Sequence, residues 1–429
     1  MTTEMEQRSV CNGVTFRSYR DSRFKTMRIS VHFLLPLEKD RAAVNAILPF
    51  LLRRASRKYP DYTKLNEHLE QLYGASLDAD VQKLGDVQLL SVTASGLADR
   101  YVLNGECVSA ELSRLLCSVL FDPPLRDGLF PEDGFLQERR QLMETLDAEF
   151  NDKQVYAYRR CMEIMCAGEP YGLSRCGTKK DLEHLERCSL TKAWEYLIHS
   201  ARTEIMVFGD CDPEPIYREF SAAFRSLGRG KTELCSTLPV APREKTNDVT
   251  EKMDVAQSKL VLGFRTGCAE PEKEVSAYRL LSALYGGSPN SKLFLNVREK
   301  MSLCYYCGSG YNSLKGILAV QSGVEQKNMK KARGEIVRQL EEIQMGNFTE
   351  EELDTAKRSM CNGYRSISDS LEAVEGWYLT RIFSSDSART PEQETRIIQA
   401  VTREEVTAAA QNIVLDTAYQ LTGNEVDAE

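Results

Sequence analysis

Long apolar runs are missing from this 429-residue sequence. Stretches such as "ISVHFLLPL" and "NAILPFLL" fall far short of the roughly 20 residues that a membrane-spanning helix needs. The polar start "MTTEMEQRSV" also lacks the basic and then apolar layout of a secretory signal. With 42% hydrophobic and 28% charged residues, the composition is typical of a soluble globular protein. We therefore expect a cytoplasmic protein without a membrane span.

An excess of positive charge is also missing. The formal net charge is -8 at pH 7, which does not suit a polyanionic phosphate backbone. The only short basic run is "RRASRK" at 53–58, and a solvated helix end explains it better than a nucleic-acid site. We expect no nucleic-acid partner.

Histidine is scarce, and cysteine is abundant but scattered. The four histidines are His32, His68, His184 and His199. No two of them are four residues apart, the spacing that places two zinc ligands on one helical face. The 13 cysteines read as reduced thiols, with one Cys-x-x-Cys at Cys304 and Cys307. Residues three apart on an extended strand face opposite sides, so we expect neither a disulfide nor a bidentate metal site there.

Two sequence echoes indicate an internal duplication. "LEQLYGAS" (69–76) and "LSALYGGS" (281–288) share one pattern at an offset of 212 residues. The segments 189–210 and 402–424 each read as a helix, a short turn and an apolar strand, and their glycines at 209 and 423 are 214 residues apart. Nearly equal offsets of about half the chain indicate two copies of one domain.

Each copy begins with alternating strands and continues with long amphipathic helices. This order predicts an α+β fold with two homologous domains, each a mainly antiparallel sheet packed with helices. The segment 227–248 is rich in Gly, Pro, Thr and charge, as expected of a linker. We therefore predict an N-terminal domain over 1–235 and a C-terminal domain over 236–429.

The segment "YGGSPNSKLFLNVREKMSLCYYCGSGY" resembles the C-terminal half of insulinase-like (pitrilysin-type) zinc peptidases. The matching positions are Gly286, Gly287, Ser291, Leu293, Phe294, Arg298, Glu299, Leu303 and Tyr305. Further colinear segments extend the resemblance over most of the chain. It implies two similar α+β halves that face each other like a clamshell.

The resemblance places a zinc motif, His-x-x-Glu-His, where this chain has residues 46–50. There two histidines would hold zinc and the glutamate would activate the bound water. The residues present are Ala46, Ile47, Leu48, Pro49 and Phe50, and none can bind zinc or act as a base. Glu144 falls near the position of the family's third ligand, but a solvated helix carboxylate is the better interpretation. We expect no metal in this chain, which should be inactive alone.

The second half keeps the residues that, in the family, contact the substrate backbone and the oxygen that becomes negative during hydrolysis. Arg298 and Tyr305 match them. The alternative is an Arg paired with a helix-end carboxylate and a Tyr half-buried in a strand. In the first half, Asp78, Ala79, Asp80 and Val81 lie where the family's peptide substrate pairs with a sheet edge. An ordinary edge strand blunted by its two aspartates is the competing interpretation.

A vacant zinc helix beside an intact Arg/Tyr motif resembles the zinc-less subunit of bacterial heterodimeric pairs within this family. The resemblance implies a substrate-binding or regulatory subunit whose zinc-bearing paralogue carries the metal, with peptides as substrate. Whether the chain also forms a homodimer is left open by the sequence. The alternative is a structural scaffold or pseudopeptidase without any hydrolytic role, although such a chain has little reason to keep Arg298 and Tyr305 together.

Overall fold

The computed structural model describes residues 5–103, 105–230, 232 and 235–423. The predicted linker at 227–248 and the predicted C-terminal domain therefore lie partly outside the described residues. The chain packs as two compact units. The first contains residues 1–147, 173–236 and 371–376, and the second contains 148–172, 237–370 and 377–429. These two units are defined by how the residues pack. The predicted division after residue 235 instead states which segments are homologous, and it stays a prediction.

Strands and helices alternate in blocks along the chain. The strands are β1 (Glu6–Cys11), β2 (Val14–Arg20), β3 (Thr26–Pro36), β4 (Ser76–Leu84), β5 (Val87–Leu97), β6 (Arg202–Gly209), β7 (Asn247–Lys252), β8 (Ser258–Arg265), β9 (Cys304–Asn312), β10 (Ile317–Val324) and β11 (Val414–Thr422). The helices are α1 (Ala42–Leu52), α2 (Tyr62–Gln71), α3 (Val108–Phe121), α4 (Glu132–Asn151), α5 (Lys153–Met165), α6 (Lys179–Glu183), α7 (Arg187–Ser200), α8 (Pro213–Ser226), α9 (Val275–Ser282), α10 (Met329–Gln344), α11 (Glu350–Ser366), α12 (Leu371–Thr380), α13 (Pro391–Ala400) and α14 (Arg403–Gln411). Two π-helical segments, Ala283–Gly287 and Leu293–Lys300, follow α9.

The two sheets share one topology. The first unit has the strand order β1-β2-β6-β3-β5-β4, and the second has β7-β11-β8-β10-β9. Without β1 the two orders correspond strand by strand, and in each sheet one pair is parallel (β2 with β6, β7 with β11) while the others are antiparallel. Both sheets are packed with helices. The predicted α+β class with two homologous halves is therefore confirmed.

The correspondence supports one sequence echo and corrects the other. The segments 189–210 and 402–424 contain α7 with β6 and α14 with β11, which are equivalent elements as far as residue 423, where the described part ends. The segment 69–76 ends α2 directly before the edge strand β4, whereas 281–288 ends α9 and is followed by another helical segment before the edge strand β9. The L-x-x-L-Y-G-x-S echo thus pairs elements that are not equivalent, although it led to the right duplication.

Each unit has its own apolar core. In the first, alternate residues of β3, namely Ile29, Val31 and Phe33, are buried in a cluster that includes the apolar residues of α1 and α3. In the second, β8 and β10 are buried on both faces, because α9, α10 and α14 supply one cluster and α5 supplies another. Burial on both faces explains why "KLVLGF" reads as a continuous apolar run rather than an alternating one. No helix in the described ranges has both the length and the apolar character needed to cross a membrane.

Candidate functional site

Helix α1 lies where the resemblance places the zinc motif. Of its residues 46–50, Ala46, Ile47, Leu48 and Pro49 are buried and Phe50 is half-buried. Their side chains join the apolar core of the first unit, and Pro49 also lacks the backbone N–H of an ordinary helical residue. This part of α1 contributes packing and offers no metal ligand.

The remaining candidate ligands do not assemble into a replacement site. Glu144 is exposed and lies 3.6 Å from the Nε atom of Arg140, as expected of a solvated helix carboxylate. His32 is buried, with Nδ1 2.7 Å from the hydroxyl of Ser91 and Nε2 3.0 Å from Oε1 of Glu375. Across the residues that the structure describes, no group of three or more His, Cys, Asp or Glu side chains could hold a metal ion.

Arg298 belongs to the π-helical segment that precedes β9. The widened turn is visible where the N–H of Met301 donates to the carbonyl of Asn296, five residues earlier, at 3.1 Å. π-helical turns are rare and frequently mark functional sites, because they shift the following side chains around the helix axis. Arg298 lies inside this widened turn, so its side chain is displaced around the helix axis from the position it would have in a regular α-helix.

The guanidinium of Arg298 is exposed but not isolated. Its side chain is 41% exposed, and its Nε atom lies 3.7 Å from Oε1 of Glu299. Its Cζ atom lies 4.6 Å from the ring centroid of Phe294. The weak ion pair and the cation–π contact orient the side chain while leaving donors open to solvent. The pairing expected from the alternative interpretation of Arg298 is thus present together with exposure.

Tyr305 is the extra residue of a β-bulge. In the antiparallel pairing of β9 with β10, Cys304 lies opposite Val324 and Tyr306 lies opposite Gly323, so Tyr305 has no partner of its own. A bulge re-aims the side chain it carries and commonly occurs at sheet edges near functional sites. Tyr305 is 68% exposed, the opposite of a tyrosine half-buried in a regular strand.

Gly286 and Gly287, which end the first π-helical segment, lie against this edge strand. A Cβ atom on Gly286 would lie 2.6 Å from the amide nitrogen of Ser309 in β9, so a side chain there would push the strand away. The hydroxyl of Ser309 donates to the carbonyl of Ser282 at 3.0 Å. Gly286 therefore permits the close contact that positions β9.

Arg298 and Tyr305 line one open cleft of about 420 Å³. The cleft lining comprises Arg298, Glu299, Ser302, Leu303, Cys304, Tyr305, Glu325 and Asn328. Two carboxylates, a guanidinium, a phenol and an amide give it a mixed polar surface with both hydrogen-bond donors and acceptors. The structure thus brings together the two residues that the resemblance selected in the second half.

The bulge overturns the expectation that Cys304 and Cys307 face opposite sides. Because Tyr305 is inserted between them, Cys304 lies opposite Val324 and Cys307 lies opposite Ser322, two residues apart on one face of β10. Both cysteines pack against the same apolar cluster. Their thiols interact directly, and the hydrogen bond from Cys307 lowers the pKa of Cys304 to about 7, with a smaller contribution from the charge of Arg298. The expectation from strand alternation was wrong because the extra residue of a bulge shifts the alternation of side chains by one.

The other predicted segment lies on β4, the edge strand of the first sheet. The N–H of Val81 donates to Oδ1 of Asp80 at 2.8 Å, and its carbonyl accepts from Nε of Arg175 at 3.0 Å. These bonds show that the backbone of Val81 points away from β5. Both polar groups of a strand residue point to one side and alternate with the next residue, so Ala79 also points to the free edge, while Asp78 and Asp80 pair with β5.

Sequence reasoning missed three residues of the cleft. Glu325 and Asn328 follow β10, and the antiparallel pairing with β9 brings the end of β10 beside the start of β9. Treating the two strands as a hairpin would have found them. Ser302 adopts a left-handed backbone with φ 51° in the turn before β9, and no sequence signal marked it.

Two sheets of one topology, each packed with helices, and an Arg/Tyr cleft at the edge of the second sheet are the features that a resemblance to zinc metallopeptidases predicts, whereas α1 carries none of the zinc motif's ligands. The family model described as Peptidase M16 inactive domain matches residues 184–360. The chain is 30% identical over 429 residues, 98% of each chain, to the Bacillus subtilis protein called probable inactive metalloprotease YmfF. The chain therefore belongs to the M16 family of insulinase-like metallopeptidases.

Solved structures agree on the fold. A conserved protein from Enterococcus faecalis superposes with a TM-score of 0.90 at 27% identity, covering 100% of both chains. A peptidase M16 inactive domain from Pseudomonas fluorescens superposes with a TM-score of 0.78 at 16% identity, covering 99% of both chains. The second likeness concerns the fold alone.

Proposed function

We propose that this chain is the non-catalytic, substrate-binding or regulatory subunit of a heterodimeric M16 zinc peptidase that acts on peptides. In this proposal a zinc-bearing paralogue supplies the metal, and this chain supplies Arg298 and Tyr305 in trans. The proposal places the complex in the cytoplasm and expects no activity from this chain alone.

One contrast carries the proposal. The residues at the zinc-motif positions, such as Ala46 and Leu48, are fully buried core residues. Arg298 and Tyr305 are instead exposed on a shared cleft, 41% and 68% respectively. A single exposed tyrosine is ordinary, but this one is carried by a bulge at a sheet edge and shares a cleft with an exposed arginine, and bulges are common next to functional sites.

The chemistry of the two side chains suits hydrolysis at a zinc ion held elsewhere. A zinc ion held by the paralogue would supply Lewis-acid chemistry and an activated water, and preorganised donors would further stabilise the oxygen that becomes negative. Arg298 offers the planar fork of N–H donors of a guanidinium group. Tyr305 offers one phenolic O–H as a hydrogen-bond donor. In this proposal both donors act on the substrate carbonyl or its backbone neighbours.

The edge of β4 is the proposed second point of peptide contact. Of the four residues predicted there, Ala79 and Val81 direct their backbone groups to the free edge, and those of Val81 are bonded to Asp80 and Arg175. A peptide that adds a strand here would therefore use the N–H and carbonyl of Ala79 first. Asp78 and Asp80 would act through their exposed carboxylates rather than their backbones.

The test is a search of the same genome for M16 chains that carry His-x-x-Glu-His, followed by reconstitution of this chain with each of them. Each chain alone should show little peptidase activity, and an equimolar mixture should hydrolyse unfolded peptides. Size-exclusion chromatography with light scattering distinguishes a heterodimer from a homodimer of this chain.

A matched pair of arginine variants tests the trans contribution. Arg298→Ala should lower kcat in the mixture, whereas Arg338→Ala, an exposed helical arginine paired with Glu335, should not. A mixture that assembles but hydrolyses equally well with Arg298→Ala would favour the scaffold alternative. Failure to assemble with any zinc-bearing paralogue would contradict the subunit proposal itself.

A further inference from the structure

The second unit carries a pair of thiols beside the Arg/Tyr cleft that the proposed function does not use. Cys304 is half-buried and lines the cleft, whereas Cys307 is buried in the core behind it. The bulge at Tyr305 places both on one face of the sheet. One accessible and one buried cysteine on the same face is the usual arrangement of an attacking and a resolving thiol.

The separation of the pair follows from the strand register. Cys304 and Cys307 lie opposite Val324 and Ser322, which are two residues apart on β10. At a rise of about 3.3 Å per residue, the two Cα atoms are roughly 7 Å apart. Disulfides usually span Cα distances up to about 6.8 Å, so a small contraction of the bulge suffices for closure. A bond closed under strain is reduced more readily than a relaxed structural disulfide.

The environment favours Cys304 as the attacking thiol. The hydrogen bond from Cys307 stabilises the Cys304 thiolate and lowers its pKa to about 7 despite partial burial, and Arg298 adds a favourable charge. The same contact and burial raise the pKa of Cys307 well above its usual value, so that Cys307 keeps its proton as the donor. A larger share of Cys304 is therefore thiolate at pH 7 than of an ordinary thiol, whose pKa is about 8.5.

We propose that Cys304 and Cys307 form a reversible thiol–disulfide pair that is oxidised by small-molecule disulfides such as oxidised glutathione. The Cys304 thiolate attacks one sulfur of the disulfide, forming a mixed disulfide and releasing one thiolate. Cys307, losing its proton to solvent, then attacks the Cys304 sulfur and releases the second thiolate. Two protein thiols are oxidised to one disulfide, and the small disulfide is reduced to two thiols.

Closure of this disulfide would contract the bulge that projects Tyr305. If Tyr305 acts on peptide as proposed above, oxidation would weaken that action and reduction would restore it. This consequence rests on the proposed function, but the disulfide itself does not. The chemical test below uses the isolated chain without peptide or partner, so the two ideas can fail separately.

The reduced wild-type chain is incubated at pH 7 with oxidised glutathione, quenched by alkylation and mapped by mass spectrometry. The exposed thiols of Cys107 and Cys188 serve as internal comparators. We expect Cys304 and Cys307 to lose alkylation together, to appear as one intramolecular disulfide, and to recover fully with dithiothreitol. The proposal is overturned if Cys107 and Cys188 become glutathionylated while Cys304 stays reduced, or if Cys304 stops at the mixed disulfide.

Two substitutions of Cys307 separate its roles as resolving thiol and as hydrogen-bond donor. Cys307→Ser keeps a donor but cannot resolve, so the mixed disulfide at Cys304 should accumulate while the pH midpoint of Cys304 alkylation stays near 7. Cys307→Ala removes the donor, so the midpoint should move at least tenfold in proton concentration toward higher pH. An unchanged midpoint in Cys307→Ala, with wild-type accumulation of mixed disulfide in Cys307→Ser, would contradict the pairing.

Discussion

Glu375 gives the sharpest test of how the first unit is stabilised. It lies in α12 and is buried, where it accepts a hydrogen bond from Nε2 of His32 at 3.0 Å and pairs with Arg28 of β3. Burial by itself would raise the pKa of Glu375, but the His32 hydrogen bond and the charges of His32 and Arg28 together lower it to about 2. The carboxylate is therefore ionised in the folded protein.

The direction of the pH dependence follows from this lowered pKa. In the unfolded chain the pKa is near 4.5, so folding is favoured above that pH and the contribution is lost as pH falls from 4.5 toward 2. The full difference corresponds to about 3.5 kcal/mol at most, since each pKa unit is worth about 1.4 kcal/mol. Roughly 1.4 kcal/mol of this should be gone by pH 3.5.

The assay compares Glu375→Gln with Glu372→Gln, an exposed carboxylate on the same helix. Unfolding free energy is measured at pH 7 and pH 3.5, and hydrogen exchange is followed over residues 371–376. Glu375→Gln should be less stable at pH 7 by up to about 3.5 kcal/mol, and the deficit should shrink to about 2 kcal/mol at pH 3.5. The control should show neither effect. A deficit of the same size at both pH values would refute the reasoning, because it would place the cost in packing rather than in charge.

Three further predictions address the site itself. Elemental analysis after dialysis against a mild chelator should find far less than one zinc per chain, because residues 46–50 supply no ligand. About one zinc retained per chain would show that the metal site was misplaced. Ala79→Pro should weaken peptide binding by removing an N–H on the free edge of β4, whereas Ala79→Val, which keeps that N–H, should not; equal affinities would favour an ordinary edge strand. Tyr306→Phe should leave reconstituted activity unchanged, since Tyr306 faces the opposite side of β9, beside Lys259.

Much of the fold was accessible from the sequence, because its signals are local or repeated. Alternation predicts the strands, apolar periodicity predicts the helices, and a near-constant offset indicates the duplication. The echo at 69–76 and 281–288 failed as a guide to equivalent elements. The turns that lead into the two edge strands do correspond, since Tyr73 before β4 and Ser302 before β9 both have a positive φ. Sequence similarity was weaker there than structural similarity.

The site was less predictable because it depends on a one-residue insertion in the strand register. Nothing in "LCYYCG" indicates that Tyr305 is the bulged residue, and without the bulge the two cysteines fall on opposite faces. Strand alternation also decides which of the four predicted residues of β4 can offer backbone groups to a peptide. The bonds of Val81 show that its own groups and those of Ala79 point to the free edge, and those of Val81 are already bonded, which leaves Ala79. Such facts depend on pairing between strands, which a single sequence does not record.

Measurement of kcat for Tyr305→Phe in the reconstituted complex tests the central claim most directly. The substitution removes one exposed hydroxyl, so assembly with the zinc-bearing chain should be unchanged. Loss of one oxyanion donor should lower kcat about 100-fold, against no change for Tyr306→Phe. A Tyr305→Phe complex that assembles and hydrolyses peptide at the wild-type rate would contradict the claim that this chain acts on the substrate in trans.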